Sequence, residues 1–277
     1  MTATLSRPVT RPNSFIFTLF GDFVYRTGQA PGELWVGALI RLMGEFGLSE
    51  QAVRQAVSRM SRQGWLEATR RGNRSYYSMT ERGRLRVEAI NPRIYGPIVE
   101  WDGKWRILTY TVAEANRQGR DGLRKDLQVL GWAPLSASTW ISPHDRLEDA
   151  RAAARSNGVF ENIDVFHGEY LGPQNDRQLL ERCWDLPAIA QQYLEFVQRY
   201  EPMLRAERDH DGLEDEAAFV DRMWLVHDYR KFTYIDPGLP STLLPAHWPG
   251  ADATRIFREY YALISPKAER FFLNAAS

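Results

Sequence analysis

The chain has 277 residues, with 35 Lys and Arg against 35 Asp and Glu, so its formal net charge is zero. Hydrophobic residues at 44% and aromatics at 12% supply material for two or three cores, which excludes a disordered or fibrous chain. The single Cys183 excludes a disulfide framework and a multi-cysteine metal site. The best apolar stretch, Leu34 to Met43, is interrupted by Arg41 and is too short to cross a membrane. Met1 to Asn13 is polar and lacks a signal-peptide core, so a soluble cytoplasmic protein is expected, with residues 1–12 as a flexible arm.

The neutrality is a cancellation. Residues 1–90 hold 13 basic and 7 acidic side chains, while residues 91–277 hold 22 and 28. All 13 basic residues of the first part are Arg, and nine fall between Arg54 and Arg86. Arg presents a planar fork that matches phosphates and guanine edges, which an ammonium does not. The competing explanation is a solvated surface in a chain that favours Arg throughout.

Phe15, Ile16, Leu19, Phe20, Phe23 and Val24 recur at helical spacing after Asn13 and Ser14 as caps. The loop Gly28–Gly32 ends that helix. Leu34, Trp35, Ala38, Leu39, Leu42, Met43 and Phe46 predict a second helix closed by Gly47. Ser49 then caps a third, from about Glu50 to Gln63, with Ala52, Val53, Ala56, Val57 and Met60 inside. Its outer face carries Gln51, Arg54, Gln55, Ser58, Arg59 and Arg62, and beyond Glu50 it has no acid. Such side chains read base edges or hold phosphates in a major groove. Helices two and three read as a helix-turn-helix.

Trp65 to Arg71 and Ser75 to Met79 predict a two-stranded ribbon turning at Gly72-Asn73, with Arg70, Arg71 and Arg74 at its tip. Thr80 caps a last helix through Ala89, with Tyr77, Leu85 and Ile90 over the core and Asn91-Pro92 as its break. This order is that of a winged helix over residues 13–90, followed by a linker at 91–100. The expected DNA contacts are Ser49, Gln51, Arg54, Gln55, Ser58, Arg59, Arg62, Arg70, Arg71 and Arg74. Arg54 and Arg59 are the first candidates for base reading, and the three hairpin arginines for the backbone.

At this point the sequence resembles the PaaX-type repressors of phenylacetic acid catabolism. The resemblance rests on Asn13–Asp22, Gly47–Met60, Gly64-Trp65-Leu66, Tyr76–Thr80 with Arg82-Gly83, Trp101–Trp105 and Leu244–Gly250. It implies a homodimeric DNA-binding repressor on an inverted-repeat operator, with phenylacetyl-coenzyme A as the releasing effector and no cofactor.

Further along, Trp105 to Val112, Arg120 to Gly131, Trp132 to Ser138, Thr139 to Ser142, Leu147 to Asn157 and Ile163 to Tyr170 read as β-α-β-β-α-β. That is the order of a ferredoxin-like domain, here 101–175. The resemblance implies the same, since the family's middle domain is similar to the small CRISPR adaptation nucleases. Those carry an acid at the end of their first strand, where this chain has Thr109-Tyr110-Thr111, so a dimerising scaffold is expected. From 176 to 277 the chain reads as a mainly helical sensing domain. Its apolar sets are Leu180, Cys183, Trp184, Ile189, Tyr193, Phe196 and Tyr200, then Phe219, Met223 and Val226 within Glu214–Tyr229. A crossover from Pro237 to Pro249 precedes a closing helix, Ala253 to Leu273. The fold class expected is thus α+β: an N-terminal winged helix-turn-helix, a central ferredoxin-like domain and a helical tail.

Catalytic signals are weak. His144-Asp145, His210-Asp211 and His227-Asp228 suggest a metal phosphohydrolase, but nothing fixes further ligands. No phosphate-binding loop or nucleophile elbow is present, so neither a catalytic nor a metal site is expected. An acyl-coenzyme A effector needs an apolar slot, an aromatic platform and basic groups. Two segments offer that mixture: Lys104, Trp105 and Arg106, and Trp224, His227, Tyr229, Arg230 and Lys231. A repressor of the same fold answering another acyl-coenzyme A is the first rival reading, and a phosphohydrolase or nuclease the second.

Overall fold

The computed structural model describes residues 9, 11–26, 32–96, 100–210 and 212–277. Most of the expected N-terminal arm, the loop before Gly32, the link at Pro97 and Asp211 lie outside the described residues.

In chain order, α1 (Pro12–Leu19) passes into a π-helical segment, Phe20–Arg26. Then come β1 (Glu33–Trp35), α2 (Val36–Gly44), α3 (Glu50–Arg62), β2 (Leu66–Arg71), β3 (Arg74–Met79) and α4 (Glu81–Tyr95). The middle of the chain forms β4 (Trp105–Tyr110), α5 (Arg117–Val129), β5 (Ala133–Pro134), β6 (Thr139–Ser142), α6 (Leu147–Ser156) and β7 (Ile163–Gly168). The remainder is α7 (Asp176–Cys183), α8 (Leu186–His210), α9 (Asp215–Tyr229), α10 (Phe232–Ile235) and α11 (Pro249–Ala276). The architecture is α+β with a mostly helical C-terminal region. No described helix is long and apolar enough to cross a membrane.

Two compact units result, and they do not follow chain order. One joins the N-terminal segment through Gly96 with Glu195–Arg230 and Asp252–Ser277; the other joins Pro97–Leu194 with Lys231–Ala251. The tail, read from sequence as one domain, is therefore divided between both units.

In the first unit, Phe15, Ile16, Leu19, Phe20, Phe23 and Val24 are all buried, as their spacing predicts. Asn13 and Ser14 are not caps, however. The helix starts at Pro12, whose missing N–H and fixed φ suit the first helical position, behind Arg11 without a side-chain cap. Leu34 and Trp35 do not open α2 either: they belong to β1, paired antiparallel with β3 through Leu34↔Tyr77 and Trp35↔Tyr76. A run this short fits either periodicity, and the exposed edge of β3 decides it. The expected two-stranded ribbon is thus a three-stranded sheet of order β1-β3-β2.

Helix α4 also differs from expectation, because it continues through Pro92 to Tyr95. An interior proline costs about 3 kcal/mol, and the last turn offsets this through Tyr95. Its hydroxyl donates to Asp22 Oδ1 at 2.8 Å, and its ring lies 5.9 Å from Phe257. Leu85 is left 58% exposed, while Gly83, Val87 and Ile94 form the inner stripe. A side chain at Gly83 would meet the Trp65 carbonyl oxygen at 2.6 Å, so glycine is required for that approach.

The second unit is built on an antiparallel sheet of order β5-β6-β4-β7. Alternation along β4 sends Leu108 and Tyr110 into one core with Leu123, Leu127 and Ala154 of the two helices. Trp105 and Ile107 face the other side, packing with Leu179, Leu180, Leu239 and Leu243. The strands end earlier than predicted, β4 at Tyr110 and β5 after two residues, and α5 begins three residues sooner.

Candidate nucleic-acid interface

The turn between α2 and α3 is closed by Gly47 at φ 72°, with Gly47 N–H on the Gly44 carbonyl and Leu48 N–H on that of Met43. This pair of bonds satisfies the last carbonyls of α2 and reverses the chain. Ser49 Oγ then accepts from Ala52 N–H at 3.3 Å, capping α3. Val53, Ala56, Val57 and Met60 anchor the helix inward. That burial orients the opposite face: Ser49, Gln51, Arg54, Gln55, Ser58, Arg59 and Arg62 are all exposed. Arg54, Gln55, Ser58, Arg59 and Arg62 together line a concave surface. Among the described residues Arg59 and Arg62 have no ion pair, whereas Arg54 Nε donates to Glu50 Oε1 at 2.8 Å.

The nine arginines that sequence reading grouped together divide into three roles. Arg82 Nη1 donates to the Gln63 carbonyl at 3.1 Å and its guanidinium lies 4.1 Å from the Trp65 ring. Arg84 Nη1 holds the Met79 carbonyl at 2.9 Å, and Arg86 flanks Trp65. All three stand on α4 and fasten it to the end of α3 and to the end of β3. At the hairpin, Arg71 pairs both of its Nη atoms with the Glu33 carboxylate and stacks 4.9 Å from the Tyr76 ring. Arg74 lies 4.8 Å from the Trp35 ring. Arg70 Nε reaches only its own turn, at the Gly72 carbonyl, 3.3 Å away. Among the described residues Arg70 and Arg74 both lack a carboxylate partner, and of the three hairpin arginines only Arg70 stacks on no ring.

The two expected effector segments are placed differently. Trp105 is buried and donates from Nε1 to Asp176 at 2.7 Å. Arg106 is 4% exposed and makes two 2.7 Å bonds to Asp102 and one of 2.9 Å to the Lys104 carbonyl. Its guanidinium holds the Asp102 carboxyl down to about 2. Lys104 alone of that trio faces solvent. In the second segment, Trp224, His227 and Arg230 turn toward α1. The Phe15 ring lies 4.6 Å from Trp224 and 4.9 Å from His227, and Arg230 bonds both the carbonyl and the hydroxyl of Ser14. Tyr229 points the other way, stacked at 4.0 Å on Phe257, and Lys231 is exposed.

One constellation was missed by sequence reasoning. Arg222, with no exposed surface, donates from Nε to Asp22 Oδ2 and from Nη1 to Glu269, both at 2.8 Å. Tyr95 and Tyr261 hydroxyls both donate to Asp22 Oδ1 at 2.8 Å. Burial alone would lower the Arg222 pKa, but the Asp22 carboxylate raises it above the ordinary value, so the charge persists. The only sequence signal was an acid inside the apolar run Phe20–Val24 and an Arg inside the apolar run Ala218–Val226.

Of the His-Asp pairs, Asp228 accepts from Arg199 at 2.9 Å and Tyr200 at 2.8 Å, and Asp145 lies 3.5 Å from Arg106. Among the described residues no three His, Cys, Asp or Glu side chains are grouped to hold a metal. Cys183 is half-buried, and that burial raises its thiol above the usual range.

Family models match nearly the whole chain: a PaaX-like protein model over residues 11–83, the PaaX protein central Cas2-like domain over 99–180, and the PaaX-like C-terminal domain over 184–274. The transcriptional repressor PaaX of Escherichia coli strain K12 is 32% identical over 263 residues, covering 93% of this chain and 82% of that protein. An uncharacterized protein from Mycobacterium tuberculosis shares the fold at a TM-score of 0.60 and 19% identity, over 95% of this chain and 99% of its own.

Proposed function

The chain belongs to the PaaX-like family, and on that premise we propose that it is a DNA-binding transcriptional repressor of phenylacetate catabolism genes. The observation that carries this reading is the outward face of α3. Six exposed Gln, Arg and Ser side chains stand there, five of them lining a concave surface, opposed by a single acid. Helix α2, its tight turn and α3 form a helix-turn-helix, and the β2–β3 hairpin beside it serves as a wing. Base edges are read by Arg54 and Arg59 with Gln51, Gln55 and Ser58, while Arg62 and Arg70 hold phosphates. Arg71 and Arg74 shape the wing through Glu33, Tyr76 and Trp35.

The second unit, with its order β5-β6-β4-β7, is read as a ferredoxin-like scaffold for a homodimer. A dimer presents two α3 helices to an inverted repeat with half-sites about 34 Å or a multiple apart. The effector proposed is phenylacetyl-coenzyme A. Of the two candidate segments, the α9 segment is favoured, because Trp224, His227 and Arg230 touch α1 of the DNA-binding part directly. The ligand must prefer the conformation that does not bind DNA, since equal affinity for both shifts nothing.

Footprinting of the promoter with Arg54→Ala and Arg59→Ala variants tests the interface. Protection should vanish or lose its sequence preference, and an unchanged footprint refutes the assignment. For the effector, an electrophoretic shift should disappear at saturating phenylacetyl-coenzyme A. A shift that persists while the thioester binds would reject it, and a thermal-shift panel of other acyl-coenzyme A thioesters then identifies the alternative.

A further inference from the structure

Glu50 is the one acid on the outward face of α3, one helical turn ahead of Arg54. A carboxylate on a surface that meets a polyanion weakens attraction to every duplex. Helix capping does not require it, because Ser49 already supplies the cap. A first-turn acid suits the helix dipole, yet the dipole does not explain which donor it takes. That donor is specific: Glu50 Oε1 accepts from Nε of Arg54, at 2.8 Å.

A guanidinium has one Nε–H and four Nη–H donors in a plane. With Nε held by Glu50, the edge left over is the Nη1–Nη2 pair, and no bond to either occurs among the described residues. That edge is a fork able to meet O6 and N7 of one guanine. A side chain already held at Nε also has fewer rotamers to lose on binding. On the reading that α3 enters a major groove, we infer that Glu50 is a positioning residue. It aims Arg54 for a bidentate contact to a single guanine in each half-site. The acid thus exchanges general affinity for discrimination at one base pair.

The sign of the effect separates this role from a surface charge. The full-length protein and its Arg54→Ala, Glu50→Ala, Glu50→Gln and double Ala variants are each presented with a random-duplex pool, then with single-base operator variants. Thermal melts confirm that each is folded. The wild type should enrich a guanine at one half-site position, and Arg54→Ala should lose about 5- to 150-fold of that discrimination. Glu50→Ala should relax the same base pair by about tenfold while binding unrelated duplexes more tightly. Its salt slope should steepen by about 1. Glu50→Gln, which keeps an acceptor oxygen, should recover part of the preference. The double variant should be no less selective than Arg54→Ala alone.

Uniformly tighter binding with the guanine preference intact would overturn the inference, as would relaxation at a base pair that Arg54→Ala leaves untouched. If the wild type enriches no sequence at all, the DNA-binding reading itself fails, and the role of Glu50 falls with it.

Discussion

On α3, Arg54, Arg59 and Arg62 stand in solvent on a face with one acid; on α9, Arg222 has no exposed surface and is clamped between Asp22 and Glu269. Both helices belong to the same compact unit. An exposed guanidinium keeps its hydration, contributes little to folding and remains available to a polyanion. A buried one has lost its water and persists only while its carboxylates stay in place. The difference teaches that arginine count alone does not locate a binding surface; the partners of each arginine do.

The sharpest way to break this contrast is to truncate Arg222. Arg222→Ala strands Asp22 at 1% exposure, facing two tyrosine hydroxyls but no cation at Nε distance. A loss of about 3–5 kcal/mol is expected from breaking a buried pair on one side. Denaturant unfolding measures it, and hydrogen exchange should show the loss in both α1 and α9. Asp22→Asn should cost less, because Glu269 still neutralises Arg222. A double-mutant cycle on Asp22 and Arg222 should couple strongly. Additive losses would mean that the pair does not act as a unit.

Arg59→Ala should behave in the opposite manner. Stability should stay within about 0.5 kcal/mol of the wild type, while operator binding weakens by about 1–3 kcal/mol at one base pair. Loss of stability without loss of discrimination would place Arg59 with the structural arginines.

The same contrast explains what was legible in sequence. The α3 face could be read because its apolar stripe and polar face alternate sharply, and local amphipathicity needs no knowledge of partners. The network at Asp22 could not. Asp22 and Arg222 are 200 residues apart, and a single sequence does not say which acid meets which base. The π-helical widening at Phe20–Arg26 also moves Asp22 away from where an α-helical wheel puts it. β1 was hidden for a different reason: three residues hold too little periodicity to separate strand from helix, and the edge of β3 decides. Pro92 misled because its local penalty is offset by Tyr95, which packs against residues 162 to 166 positions further along the chain.

At the β2–β3 hairpin the difference narrows. Arg70→Ala should weaken binding to all duplexes alike and reduce the salt slope by about 1, the signature of one phosphate contact. Arg71→Ala removes a guanidinium that Glu33 already neutralises, so its salt slope should change less. Equal slopes for the two variants would show that DNA displaces the Glu33 pair.

The smallest effect is expected at Arg106, the buried arginine of the other unit. Its main partner, Asp102, has about half of its side chain exposed, unlike Asp22. Arg106 holds the Asp102 carboxyl at about 2, below its ordinary 3.8. A carboxyl lowered on folding stabilises above its unfolded pKa, and that contribution is lost as pH falls through the folded value. The window here is therefore between about pH 4 and pH 2. Water screens a half-exposed pair, so the contribution is discounted to under about 1 kcal/mol. Asp102→Asn should accordingly lower stability slightly at neutral pH, and its unfolding curve should converge on the wild type by about pH 2. A gap that stays constant down to that pH would mean that the Asp102 oxygens act as neutral acceptors for Arg106, and that even a half-exposed clamp can work without its charge.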